Sequence, residues 1–185
     1  IEEAATKVTR VSAVFSFPPF DSSDFRYRRD LGGGVLWDVG PYVVATSRLF
    51  FGKKPDRVAC EVVTRRAGDG LDLAFSVLMR YPGDGALVGH FGFDTEYQNR
   101  LNLLGPGIAI EINRSFTLPP DQPNRLMVRR KNLDSELVVP AADAFTIFLR
   151  KVIAAIEQGQ WEGFIDALLA DAELLAHLRQ ASGEH

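Results

Sequence analysis

The alternation of apolar and polar positions divides the chain into a strand and helix, a long run of strands, and a helical end. From Lys7 to Phe17, apolar residues such as Val8, Val11, Ala13 and Phe15 interleave loosely with polar ones, which predicts a strand. Pro18-Pro19 and the polar run Asp21-Ser22-Ser23-Asp24 end it. After Gly32-Gly33-Gly34 the period changes. Leu36, Val39, Val43, Thr46, Leu49 and Phe50 recur at helical spacing until Gly52 and Pro55 stop the segment. Arg57 to Arg66 reads as a strand. Leu71 to Tyr81 is the clearest one, with Leu71, Leu73, Phe75, Val77, Met79 and Tyr81 on one face and Asp72, Ala74, Ser76, Leu78 and Arg80 on the other. The turn Pro82-Gly83-Asp84-Gly85 and the return from Leu87 to Asp94 predict a hairpin. Arg100–Leu104, Ile108–Ile112, Arg125–Arg130 and Glu136–Val139 complete the strands. Two apolar stripes follow, Phe145, Phe148, Leu149, Val152 and Ile156, then Ile165, Leu168, Leu169, Ala172 and Leu175, punctuated by Gly159 and Gly163.

This order predicts an α+β fold, an open and mostly antiparallel sheet with helices packed on one face, in a single domain over residues 1–185. The second face of the Leu71–Tyr81 strand carries Ala74, Ser76 and Leu78, small and half-apolar. Two readings stand: an isologous subunit interface, giving a homodimer or homotetramer, or an ordinary exposed face.

Composition narrows the classes. A net charge of −3 supplies no field toward nucleic acid or an anionic membrane. Arg65-Arg66 and Arg129-Arg130-Lys131 are short basic runs without interleaved aromatics. The single Cys60 forms no internal disulfide, no Cys/His cluster has metal-ligand spacing, and both fit a reducing cytoplasm. No apolar run is long enough to span a bilayer, and no leader opens the chain. The chain starts at Ile1 rather than Met, which reads as a fragment, a processed chain or an incompletely determined one.

Candidate chemistry lies in Phe25-Arg26-Tyr27 and the glycine run that leads to Trp37-Asp38-Val39-Gly40-Pro41-Tyr42. Gly33 and Gly34 allow backbone to approach a ligand, or permit a tight turn. In one continuous helix Asp38 and Tyr42 are i and i+4 and share a face, where a carboxylate and a phenol orient a hydroxyl and relay a proton. Pro41 bears on this: it either opens a helix near Asp38 or kinks it. Taken singly, Asp38 also reads as an N-cap and Tyr42 as a half-buried core aromatic. Arg26 is suited to a hydroxyl or a phosphate oxygen, or to a surface ion pair. His90, alone on a strand, is more often structural than catalytic, and otherwise lines the pocket. Asp94 and Glu96 make a carboxylate pair, but at alternate positions beside a turn they also read as solvated charge.

The combination F-R-Y, L-G-G-G-V-L-x-D-V-G-x-Y, Arg48-Leu49-Phe50-Phe51-Gly52 and Pro55 resembles the C-terminal domain of the glucose–fructose oxidoreductase/inositol dehydrogenase (Gfo/Idh/MocA) family. Gly92–Arg100, Leu103-Leu104-Gly105, Arg114–Thr117 with Pro119-Pro120, and the closing helices extend the resemblance over nearly the whole chain. It implies a nicotinamide-dependent oxidoreductase acting on a sugar or nucleotide sugar by hydride transfer. Asp38 and Tyr42 would be catalytic, with Tyr42 where many relatives carry histidine, and Arg26, Gly33, Gly34 and His90 would bind substrate. NAD or NADP would be held mainly by an N-terminal Rossmann domain. That domain's G-x-G-x-x-G and Glu-Lys-Pro motifs do not occur in this chain, so the segment alone should bind no cofactor and be inactive. The alternative is a non-catalytic domain that interacts or oligomerises through its sheet; a third reading is a sugar binder that has lost activity.

Overall fold

The computed structural model describes residues 8–183. Eight strands form one sheet in the order β2-β3-β4-β1-β5-β6-β7-β8. They are β1 Arg10–Ser16, β2 Arg57–Arg65, β3 Asp72–Arg80, β4 Ala86–Gly92, β5 Gln98–Gly105, β6 Ile108–Asn113, β7 Asn124–Arg130 and β8 Leu133–Val139. Every neighbouring pair is antiparallel except β1 with β4. The helices are α1 Val35–Asp38, α2 Gly40–Phe51, α3 Ala144–Glu157 and α4 Glu162–Ala181. The expected open α+β sheet is therefore present, and the predicted hairpin is the β3–β4 pair, Arg80 opposite Ala86. The first predicted strand runs in part into residues 1–7, outside the described range.

The core lies on the helical side of the sheet. Phe75, Val77, Met79 and Tyr81 are buried there, as the alternation of β3 requires, and Phe15, Leu87 and Phe91 join them from β1 and β4. Val35 and Leu36 of α1, Val43 and Val44 of α2, and Val39 between them cover that face. Burial pushes the Cys60 thiol from 9.0 up to about 12, aided by Glu61 and Asp72. It likewise pushes the Tyr81 phenol from 10.0 up to about 12, against a hydrogen bond to Ser47 that lowers it. Both groups are held neutral when folded. The unfolded chain loses these protons first as pH rises, so stability should be level below pH 9 and fall between about 9 and 12. Urea midpoints across that range check it; a midpoint that rises through it contradicts the account. Cys60 should also resist thiol reagents until the chain unfolds.

Three expectations change. The helix expected from Leu36 to Phe50 is two helices. Val39, at φ −110°, separates them, and Pro41 occupies the first turn of α2. Proline has no N–H to bond Trp37 and its ring crowds that carbonyl, so a new helix starts there. Gly159, at φ +66°, does end α3, but Gly163 lies inside α4. Finally, α1, α2 and α4 pack on the sheet or on one another, whereas α3 buries only Ala155. Phe145 is 81% exposed, and Phe148, Leu149, Ile153 and Ile156 are also exposed. Phe148 meets Phe164 of α4 at 6.3 Å, and Ile165, Leu168 and Leu169 prolong the uncovered apolar surface.

Candidate active site

The glycine segment is shaped by its own neighbours. Asp24 caps the 3-10 turn Phe25–Tyr27 by accepting from the Arg26 N–H at 2.9 Å. The N–H groups of Gly33 and Gly34 donate to the carbonyls of Arg28 and Arg26 at 2.8 and 2.9 Å. A Cβ on Gly33 would lie 2.6 Å from both carbonyl oxygens, and one on Gly34 would lie 2.2 Å from Asp72 Oδ1. Asp72 is buried, and its Oδ2 accepts from the Leu36 N–H at 2.7 Å at the start of α1. Gly33 and Gly34, expected to meet substrate, are thus required by close packing on the protein itself. Asp72 was not singled out from sequence, because its partner lies 36 residues away.

Arg26 and Asp38 come together. Arg26 Nε donates to Asp38 Oδ2 at 3.1 Å, while Nη1 donates to Asp24 at 3.2 and 3.3 Å. The guanidinium lies 4.8 Å from the Phe20 ring and 4.6 Å from the Phe25 ring. Partial burial opposes its charge, but Asp38 and Asp24 outweigh that and raise its pKa above the ordinary guanidinium value. Arg26, expected to meet a substrate oxygen, instead spends much of its fork on two carboxylates and fixes the orientation of Asp38.

Tyr42 stands in the first turn of α2, not one turn along the helix of Asp38. Its ring packs edge-on against Phe15 at 4.9 Å and Phe116 at 5.7 Å. Its hydroxyl has no hydrogen-bond partner among the described residues, and the residue lines an open cavity of about 460 Å³. Arg114, Phe116, Thr117, Pro119, Pro120 and Phe145 complete much of the wall. An aromatic row joins this cavity to the Arg26–Asp38 pair: Tyr42 to Phe15, Phe15 to Phe17 at 4.7 Å, Phe17 to Phe20 at 5.7 Å. Both groups therefore border one aromatic cluster, though Asp38 is not part of the cavity wall.

His90 lies elsewhere. It alternates with Phe91, which faces the core, so its side chain is on the open face, where Nδ1 lies 3.1 Å from Ser76 Oγ. Phe15, beside Phe91, touches Tyr42 on the other side. The sheet thus separates His90 from Tyr42.

A residue that sequence reasoning missed is Asn99. It is 6% exposed, on the core side of β5 with Leu101 and Leu103. Its Nδ2 donates to Tyr97 Oη at 3.1 Å and Thr117 Oγ1 at 2.9 Å, and its Oδ1 accepts from the Phe116 N–H at 3.0 Å. It ties down the cavity wall. The available signal was an asparagine, uncommon in strands, at a position whose alternation demands an apolar residue.

Among the described residues no helix is long and apolar enough to cross a membrane, and no group of three or more His, Cys, Asp or Glu could hold a metal ion.

An open eight-stranded sheet with helices on one side defines an α+β domain of the open-faced type. A profile of the GFO/IDH/MocA C-terminal domain matches residues 2–111, and the chain belongs to that family. It is 32% identical over 187 residues to a dTDP-3,4-didehydro-2,6-dideoxy-alpha-D-glucose 3-reductase of Streptomyces violaceoruber, covering 95% of this chain and 54% of the relative. It is 30% identical over 157 residues to D-xylose 1-dehydrogenase (NADP(+)) 2 of Haloferax volcanii, covering 83% of this chain and 47% of that enzyme. A crystal structure of a 3-ketoreductase from Actinomadura kijaniata, in complex with NADP and TDP-benzene, shares the fold with a TM-score of 0.89 at 24% identity, covering 98% of this chain and 56% of that one. The chain spans about half the length of the curated relatives it matches.

Proposed function

We propose that this chain is the substrate-side domain of an NAD(P)-dependent oxidoreductase that reduces or oxidises a nucleotide sugar or free sugar at a hydroxyl/keto carbon. The observation that carries the reading is the unpartnered Tyr42 hydroxyl on the wall of the cavity, at the end of the aromatic row that leads to the Arg26–Asp38 pair. In the reducing direction Tyr42 donates a proton to the carbonyl oxygen as it becomes a hydroxyl, and takes it back in the other. Asp38, oriented by Arg26, accepts from a sugar hydroxyl. The dTDP-sugar 3-reductase and the NADP-dependent D-xylose dehydrogenase among the relatives support the substrate class.

The triple glycine spends its N–H groups on the Arg29, Arg28 and Arg26 carbonyls rather than offering them to phosphate. The nicotinamide is therefore assigned to a second, Rossmann-type domain. The uncovered apolar surface of α3 supports that assignment, because it begins at Ala144 and Phe145 on the cavity wall. A domain seated there closes the site. Replacing Phe148, Ile153 and Ile156 with serine should leave the circular dichroism of this chain intact and suppress its concentration-dependent association. In the protein at full encoded length the same changes should lower the thermal midpoint. Unchanged behaviour in both would remove the docking role.

The open sheet face carries exposed Leu78, Val88, Leu104 and Met127 among polar neighbours, and we assign homo-oligomerisation to it. The single free cysteine accords with a cytoplasmic protein. The test of function is an assay of the full-length protein with a keto nucleotide sugar, reading oxidation of NADPH or NADH at 340 nm. No oxidation with any keto sugar tried, and no reduction of cofactor with the matching alcohols, would refute the enzymatic reading and leave the sheet-mediated interaction domain.

A further inference from the structure

We infer that Arg114 receives the anionic group of the substrate and makes the site selective for sugars that carry an oxyanion over neutral sugars. This rests on the functional reading above, and it deepens that reading by naming the substrate class.

Arg114 lines the same cavity as Tyr42. Among the described residues its guanidinium has no carboxylate partner, in contrast to Arg26, Arg28, Arg48, Arg66, Arg125 and Arg129, each of which is paired. The carboxylate nearest in role, Asp143 on the same wall, is committed elsewhere. It accepts from Thr146 Oγ1 at 2.7 Å and from the N–H groups of Phe145 and Thr146 at 3.0 and 3.1 Å, capping α3. One cation in this wall is thus left with capacity to bind.

The backbone holds that cation in place. Arg114 sits at φ +52°, a left-handed conformation that a non-glycine residue seldom adopts. Its N–H donates to the Asn99 carbonyl at 2.7 Å, and the Asn99 amide fixes the next three residues through Ser115 Oγ, the Phe116 N–H and Thr117 Oγ1. Asn99 also holds the Tyr97 hydroxyl, and the Tyr97 ring lies 6.0 Å from the Arg114 guanidinium. A planar fork with preset geometry suits two oxygens of a phosphoryl or carboxylate group. The shared chemistry is the oxyanion. Its two sources are the diphosphate of a nucleotide sugar and the carboxylate of a sugar acid.

The experiment measures binding by calorimetry to the protein at full encoded length, using dTDP, inorganic pyrophosphate and glucuronate as probes. Arg114→Ala should weaken the binding anion by roughly ten- to a hundredfold, and Arg114→Lys should recover part of it. Arg114 is exposed, so Arg114→Ala should fold; Arg114→Gly, whose backbone accepts the same φ, replaces it if it does not. In turnover, KM for the charged substrate should rise while kcat and the KM of a neutral sugar stay put. Tight dTDP or pyrophosphate binding assigns the diphosphate, and glucuronate binding assigns the sugar acid. Absence of binding by all three probes, or wild-type affinity in Arg114→Ala, overturns the inference even if NADPH oxidation is observed. Arg114-dependent binding without any turnover would instead strike the enzymatic reading and leave this one standing.

Discussion

Tyr42→Phe should lower the kcat of the full-length protein by about 10²–10⁴-fold, the usual contribution of one positioned proton donor. The substitution removes only the hydroxyl. That hydroxyl has no partner within the described chain, while the ring contacts with Phe15 and Phe116 remain, so folding should be unaffected. Unchanged circular dichroism and thermal midpoint beside a collapsed kcat would place Tyr42 in the chemistry; normal turnover would remove it. Asp38→Asn should behave differently. The amide oxygen can still accept from Arg26 Nε, but the negative charge facing the guanidinium is lost. Turnover should fall with stability nearly retained, because the pair is partly exposed and such pairs contribute only about 0–1 kcal/mol.

The second large effect is on folding. Gly34→Ala should destabilise the chain by about 3–5 kcal/mol, a large share of the roughly 5–15 kcal/mol typical of a domain. Gly34 adopts φ 113°, ψ 149°, a region closed to side chains, and its new Cβ would lie 2.2 Å from Asp72 Oδ1. Relief of that contact moves a buried carboxylate off the Leu36 N–H and uncaps α1. Gly32→Ala supplies the internal control. It also has positive φ, +77°, but a Cβ there meets nothing within 4 Å. It should cost only about 1 kcal/mol of backbone strain. Urea denaturation of both variants separates the cases. Equal losses would mean that backbone strain alone, and not the approach to Asp72, explains the glycine.

These two predictions differ in how far they can be read from residue order. The Tyr42 assignment came from a motif and its chemistry, and the structure placed that residue on a cavity wall. The Gly34 prediction had no such source. A triple glycine in a sequence is compatible with a ligand cradle or a turn; the close approach of the Arg26 and Arg28 carbonyls and the Asp72 carboxylate is what requires glycine at Gly33 and Gly34. Pro41 was an explicit ambiguity between helix start and kink. The observed break at Val39 resolves it, and with it the assumption that Asp38 and Tyr42 share one helical face. His90 lies on the face away from Tyr42, which residue order leaves open, because alternation along one strand tells which residues share a face, not which face meets the helices.

Local periodicity determined much of this protein: the buried face of β3, the β3–β4 hairpin, the αL glycine that ends α2 and the apolar stripe of α3. These features rest on neighbours within a few residues, where side-chain spacing and backbone preference act directly. Tertiary structure alone decided that β1 inserts between β4 and β5, that Asp72 caps a helix 36 residues away, and that Asn99 secures the strap of Arg114 to Thr117. It alone left the α3 stripe uncovered. Each depends on which distant surfaces meet, and a pattern along the chain shows that an apolar face must be covered without showing by what.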